Sequence, residues 1–293
     1  SECASSEPTG PLGSRGAPAS KERASATAHR AEWRSPMSGP WNPAQYERFA
    51  NERTQPFLDL LAMVAPVPGG RVADLGCGTG ELTRVLHERT GAAETVGVDS
   101  SESMLANSGQ FGGGGLRFEL GDIAAFNPSL PFDLVFSNAA LQWVPGHATL
   151  IPALAALVRE GGQFAFQVPA NDDHTSHVTA RDVAASEPFR TALEGYERSW
   201  PVMPPEWYAE TLDALGFAEL TVRLQIYGHH LASTADVVEW VKGTYLTDYA
   251  RRMSPDLYER YLARYREILL ERLGDRRPYF YTYKRILVCA RRA

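Results

Sequence analysis

Cysteine is scarce: the 293-residue chain has three, Cys3, Cys77 and Cys289, and no CxxC pair. That odd, unspaced set argues against a disulfide framework and a thiolate zinc site, and it fits a reducing, cytoplasmic setting. Long apolar runs are missing too. None reaches the ~18–20 residues that a membrane-spanning helix needs, so no membrane partner is expected. Nor is there a basic excess. The formal net charge of −6 speaks against nonspecific nucleic-acid binding and for a small-molecule substrate. Large apolar residues are almost absent from residues 1–36, which are rich in Ser, Ala, Pro, Gly and Arg. A disordered tail is expected there. Glu2, Glu7, Glu22 and Glu32 count against reading it as a transit peptide. No internal repeat occurs.

What is present is an ordinary globular composition, 44% hydrophobic and 22% charged, organised around Val72-Ala73-Asp74-Leu75-Gly76-Cys77-Gly78-Thr79-Gly80. This reads as a buried strand, a glycine turn and then a helix from Glu81. A dinucleotide turn would read G-x-G-x-x-G and a P-loop would carry Gly-Lys-Ser/Thr; this turn has neither spacing. Three further apolar runs follow, ending at Asp99, at Gly121-Asp122 and at Ser137-Asn138. Four successive strands thus place polar residues at their C-terminal ends, the binding edge of a doubly wound sheet.

A fifth strand is expected over Gln163–Val168, after a helix from Gly146 to Val158 and a turn at Gly161-Gly162. Helices follow over His174–Ala185, Pro205–Leu215, Ala232–Tyr245 and Pro255–Leu273. Strands are expected at Phe217–Tyr227 and Tyr283–Arg291. Upstream, Asn42-Pro43 starts a helix carrying Tyr46, Phe49, Phe57, Leu58, Leu61 and Val64, with Pro56 breaking or kinking it. The tyrosine stripe Tyr245, Tyr249, Tyr258, Tyr261 and Tyr265 reads as core more readily than as a cofactor box.

These residues resemble the class I S-adenosylmethionine-dependent methyltransferases, and within them the trans-aconitate methyltransferase family. The closer resemblance rests on Trp41-Asn42-Pro43 through Pro56, Asp74-Leu75-Gly76-Cys77-Gly78, and Gly97-Val98-Asp99-Ser100-Ser101 with Met104-Leu105-Ala106. It continues through Asn138-Ala139, Leu141-Gln142-Trp143, Gln167-Val168-Pro169, Asn171, His177, Trp240-Val241 and Ala290-Arg291-Arg292. It implies a doubly wound, mostly parallel, seven-stranded α/β sheet of the Rossmann-like methyltransferase type in residues 37–293. Helical cap insertions would fall at about 170–215 and 232–275, and the protein would act as a monomer.

The implied cofactor is S-adenosyl-L-methionine. Asp74, Gly76, Cys77, Gly78 and Gly80 would hold its methionine portion. Asp99 would take the ribose diol, since two carboxylate oxygens match two hydroxyls, and Ser100 beside it would complete the cofactor-binding set. Asp122 with Ile123 would bind and sandwich the adenine, Met104 would sit beside the cofactor, and Asn138 and Ala139 would lie where the methyl points. The implied substrate is a small carboxylic acid, with Trp143, Arg53, His177 and Arg285 as its candidate partners. Trp143 brings an indole N–H and a ring attractive to a sulfonium, or else it is a buried anchor for the next helix. A carboxylate is ionised near neutral pH, its pKa lying around ~4, so no catalytic acid or base is expected. His174-x-x-His177 and His229-His230 lack further ligands, and no metal is expected.

Two departures bear on the substrate. Tyr245-Leu246-Thr247-Asp248-Tyr249 stands where related sequences read Gly-Leu-Arg-Pro-Trp, and Glu81 stands where asparagine is common. Other readings stay open: a carboxyl methyltransferase of a fatty, isoprenoid or carrier-bound acid, with the tyrosine-rich helices lining its pocket, or a non-catalytic regulator that keeps the cofactor fold.

Overall fold

A computed structural model describes residues 54–293 apart from 199 and 244. The expected tail, Tyr46, Phe49 and Arg53 lie outside the described residues. Seven strands form one sheet: β1 Arg71–Leu75, β2 Glu94–Asp99, β3 Leu116–Leu120, β4 Phe132–Asn138, β5 Val158–Pro169, β6 Phe217–Leu231 and β7 Tyr279–Arg292. Their order is β3-β2-β1-β4-β5-β7-β6. Strands β1 to β5 are parallel, whereas β7 runs antiparallel to both β5 and β6. The expected doubly wound, mostly parallel, seven-stranded sheet is therefore the one observed. Successive strands lead away from β1 on both sides, through β2 on one and β4 on the other, so a crevice opens beyond their C-terminal ends.

The central strands are continuous apolar runs because both faces are covered. Along β4, Leu134 and Phe136 join a core with Phe57, Leu60 and Leu86, while Val135 points to the opposite core with Ile151, Leu154 and Tyr208. Residues 54–61 are the described part of helix α1. They supply Phe57, Leu60 and Leu61 to the first core, which also takes Leu86 of α2 (Glu81–Thr90). Helices α3 (Glu102–Leu105), α4 (His147–Ala155), α5 (Thr175–Ala184), α6 (Phe189–Ala192) and α7 (Pro205–Ala214) come next in the chain. Residues of α4 and α7 build the second core. A third core joins α5, α6, α8 (Asp236–Lys242), α9 (Thr247–Arg252), α10 (Pro255–Leu273) and the start of β7. The tyrosine stripe belongs to it, with Tyr249, Tyr261 and Tyr265 at most 1% exposed. No helix among the described residues is long and apolar enough to cross a membrane.

Two local expectations differ from the fold. Gly161-Gly162 is not a turn between elements but part of β5, where the register against β4 shifts between Phe132 and Leu134. Gly161, at φ +70°, takes up that irregularity, and β5 begins at Val158, where a helix was expected to end. The single helix expected over 232–245 is the shorter α8, ending at Lys242 with Gly243 as its C-cap, followed by the separate α9.

Gly76 brings the site loops together. It sits at φ +82°, and a Cβ there would lie 2.0 Å from Ala140 Cβ and 3.6 Å from Ile123 Cδ1. Gly76→Ala combines backbone strain with a clash, each worth on the order of 1–3 kcal/mol. It is expected to lower the unfolding free energy by about 2–4 kcal/mol, read from denaturant midpoints at unchanged m-value.

Candidate functional site

The turn after β1 is held from β2. Gly76 N and Cys77 N donate to Val98 O at 2.7 and 3.1 Å, and Gly78 N donates to Asp99 Oδ2 at 2.9 Å. Asp99 Oδ1 accepts from Ser101 N at 2.9 Å, and Gly80 N closes onto Cys77 O at 3.2 Å. These glycine-turn donors are thus spent on the protein itself. The first turn of α2 is different, because no side chain caps its N-terminus. It keeps backbone N–H groups and a positive dipole end at this edge.

Asp74 lies under the turn, 3% exposed, and accepts a 2.7 Å hydrogen bond from Thr83 Oγ1 in the first turn of α2. Burial pushes its carboxyl from the ordinary 3.8 up to about 7, against the Thr83 hydrogen bond and with the Asp99 charge adding to the rise. Burial, followed by the charges of Asp74 and Asp99, also drives the Cys77 thiol far up, so it stays protonated.

The other strand ends close around this turn. Ser101 caps α3 by accepting from Met104 N at 3.3 Å, Ser100 is exposed, and Met104 is 45% exposed. Asp122, also exposed, accepts from Ala124 N at 2.9 Å and starts a short 3₁₀ turn that carries the buried Ile123. An open groove of about 440 Å³ between β2, β3 and the 121–132 connection touches this region at Asp122 but runs to Arg71 at the far end of β1. It follows a face of the sheet rather than the strand-end edge.

At the end of β4, Asn138 Oδ1 accepts from Gln167 Nε2 at 2.7 Å, and Gln167 Oε1 accepts from Arg285 Nη1 at 3.1 Å. A polar relay therefore crosses β4, β5 and β7 and joins Asn138 to Arg285. Gln167, 1% exposed, is its middle member; the sequence offered it only as part of the family resemblance and not as a site residue, because strand pairing creates its position. Ala139 adopts φ +54° beside it. Trp143, on a 3₁₀ turn Leu141–Trp143, is 55% exposed and so is not a buried anchor. Its neighbour Gln142 turns inward and donates to Ala139 O at 2.6 Å.

His177 sits apart, in the helical core. It is 2% exposed, with Nδ1 3.1 Å from Ser176 Oγ and its ring edge-on to Tyr245 at 4.3 Å. Burial first, then His174, Arg181 and Arg198, push it down to about 3. It is a neutral ring at physiological pH, so it brings no charge to an anion. Arg53 is outside the described residues. His174 caps α5, with Ser176 N donating to its Nδ1 at 3.1 Å, and no group of metal-ligating side chains is assembled among the described residues.

Solved structures share this architecture. A phosphoethanolamine N-methyltransferase of Haemonchus contortus, in complex with phosphomonomethylethanolamine and S-adenosylhomocysteine, overlays with a TM-score of 0.50 at 19% identity, covering 80% of this chain and 52% of that one. The YcgJ protein of a Bacillus overlays at 0.52 and 16% identity, covering 82% and 98%. The fold is the Rossmann-like methyltransferase fold. A methyltransferase-domain family model matches residues 72–162. A trans-aconitate 2-methyltransferase of Deinococcus radiodurans is 42% identical over 258 residues, 86% of this chain and 98% of the relative. One from Streptomyces avermitilis is 41% identical over 239 residues, 79% and 88%. The chain belongs to the trans-aconitate 2-methyltransferase family.

The raised Asp74 pKa has a stability consequence. A folded value above the unfolded one means that the folded protein binds the extra proton between about pH 4 and 7, so stability falls as pH rises through that window. Asp74→Asn keeps an acceptor for Thr83 without the charge. It is expected to stabilise the ligand-free protein by about 2–4 kcal/mol at pH 8, the gain vanishing toward pH 4. Thermal unfolding across that range checks both sign and window.

Proposed function

We propose that this protein transfers a methyl group from S-adenosylmethionine to a carboxylate oxygen of a small polycarboxylic acid, trans-aconitate first among the candidates, as a cytoplasmic monomer. The observation that carries the reading is the gathering of Gly76, Asp99, Ile123 and Asn138 at one sheet edge in a chain 42% identical to the Deinococcus relative named for that reaction. When bound, S-adenosylmethionine supplies an electrophilic methyl on a sulfonium.

The residues fit that donor. A Cβ on Gly78 would stand 3.3 Å from Met104 Cε, so the strip between the turn and α3 stays open because residue 78 has no side chain. The uncapped N-terminus of α2 suits the methionine carboxylate, and Asp74 suits the ammonium. Each Asp99 oxygen accepts one backbone hydrogen bond and keeps a lone pair for a ribose hydroxyl. Ile123 and Met104 offer apolar surface to the adenine, next to Asp122 and Ser100. Asn138 and Ala139 border the methyl, with Gln167 fixing the Asn138 amide.

The acceptor oxygen is already ionised, its pKa lying near ~4, so this chain need supply no group to take a proton from the acid. The protein's contribution is orientation and exclusion of water, holding the reacting oxygen roughly 3 Å from the methyl carbon. Trp143 and Arg285 are the proposed acid-side partners. The tyrosines that would line a pocket for a fatty or isoprenoid acid are instead closed into core, Tyr245, Tyr249, Tyr261 and Tyr265 being 3% exposed or less, which favours the small anionic acid.

Methyl-ester formation from a panel of acids tests the reading, and a protein that binds S-adenosylmethionine but esterifies none would be the regulator. Trp143→Phe keeps the ring face and loses the N–H. Because Trp143 is 55% exposed, its stability should change by less than about 0.5 kcal/mol. Loss of one positioned hydrogen bond to a charged group should cut kcat/KM roughly ten- to hundredfold at unchanged cofactor affinity. Normal turnover would remove Trp143 from the substrate site.

A further inference from the structure

Among the described residues, three buried side-chain atoms have no hydrogen-bond partner: Gln142 Oε1, Arg198 Nε and the Tyr265 hydroxyl. Gln142 belongs to the loop beside Trp143. Arg198 does not belong to the strand-end site as described, and it is the anomalous one. A guanidinium is always charged and presents five donors, and burying it with donors idle is costly unless something pairs with them.

Arg198 lies between α6 and α7 with its side chain 7% exposed. Nη1 donates to Tyr245 O at 3.0 Å, and the guanidinium sits 4.3 Å over the Tyr245 ring. Its nearest carboxylate, Asp248, is 3.5 Å away and is shared with Arg252 at 3.4 Å and with the Tyr196 hydroxyl. Across the same Tyr245, Arg181 is satisfied by Asp172 at 2.6 Å. Arg181, Arg198 and Arg252 therefore set three positive charges against the two negative charges of Asp172 and Asp248, and the neutral His177 adds none. Among the described residues of this cluster one positive charge is left over, with an idle N–H on the buried arginine. The cluster connects through the chain to the strand-end edge. Helix α5 follows the C-terminal end of β5, the strand beside Asn138, and carries His177 and Arg181 into it.

We propose that Arg198 binds a substrate carboxylate other than the one methylated, selecting a polycarboxylate over a monocarboxylic acid. This rests on the function proposed for the strand-end site. It adds the residue that would give the enzyme its charge requirement, through the Nε edge of a planar fork suited to a carboxylate.

The test measures two things on the full chain. Calorimetric binding of tricarballylate, a saturated tricarboxylate, in the presence of S-adenosylhomocysteine reads the site without turnover; steady-state kinetics with trans-aconitate read it in the reaction. Arg198→Gln is expected to weaken tricarballylate binding and raise the KM for trans-aconitate roughly ten- to hundredfold, with S-adenosylhomocysteine affinity unchanged. Arg198→Lys, which keeps the charge but not the fork, should recover part of that loss and serves alone if the glutamine variant does not fold. Wild-type tricarballylate affinity in a folded Arg198→Gln, or in Arg198→Lys where only that variant folds, overturns the proposal, as does a wild-type protein that binds no tricarboxylate. A wild-type protein that binds tricarballylate through Arg198 yet esterifies no acid would instead overturn the proposed reaction and leave the site standing.

Discussion

Asp99 accepts two backbone hydrogen bonds, one from the turn after β1 and one from the start of α3, and the geometry of the strand-end edge follows from that double anchorage. A carboxylate can do this because its two oxygens carry enough lone pairs to hold the protein and still offer acceptors outward. With the turn fixed to β2, Gly76 can press against Ala140, which brings the β4 loop to the same edge, and Ile123 fills the remaining side. The same carboxylate acts at a distance on its buried neighbour, helping to lift Asp74 to about 7. Placement and electrostatics at this edge thus share one residue.

Much of this was legible in the sequence for a simple reason. Strands buried on both faces must be apolar throughout, so β1, β2 and β4 announce themselves, and the polar residues ending them mark the edge. What was illegible depends on partners distant in the chain. Gly161-Gly162 looks like a turn locally, and only pairing with β4 makes it a strand irregularity. His177 looks like a polar candidate on a helix, and only the packing of Tyr245 beside it reveals a buried, neutral ring. Arg198 carried no motif at all. Its significance lies in Asp248, fifty residues on in sequence, being shared with Arg252 and Tyr196.

In the glycine turn the Gly76, Cys77, Gly78 and Gly80 N–H groups are consumed in holding the turn itself. Glycine is needed there for conformation and close approach. The uncapped start of α2 lies one step later in the chain. The turn thus sets the shape of the edge, and the helix end supplies its positive dipole.

The antiparallel β7 has a consequence for how the protein is made. Among the described residues strand β6 pairs with β7 alone, and β7 fills the gap between β6 and β5, although 47 residues of α8 to α10 and their connections separate the end of β6 at Leu231 from the start of β7 at Tyr279. On an emerging chain, the outer edge of β5 and the whole of β6 present unpaired backbone until β7 arrives. Such edges recruit other strands, and the interval in which they stand open is when aggregation competes with folding. Chaperone demand during synthesis should therefore centre on the Phe217–Leu231 segment, which, with β3, borders the sheet of the described residues.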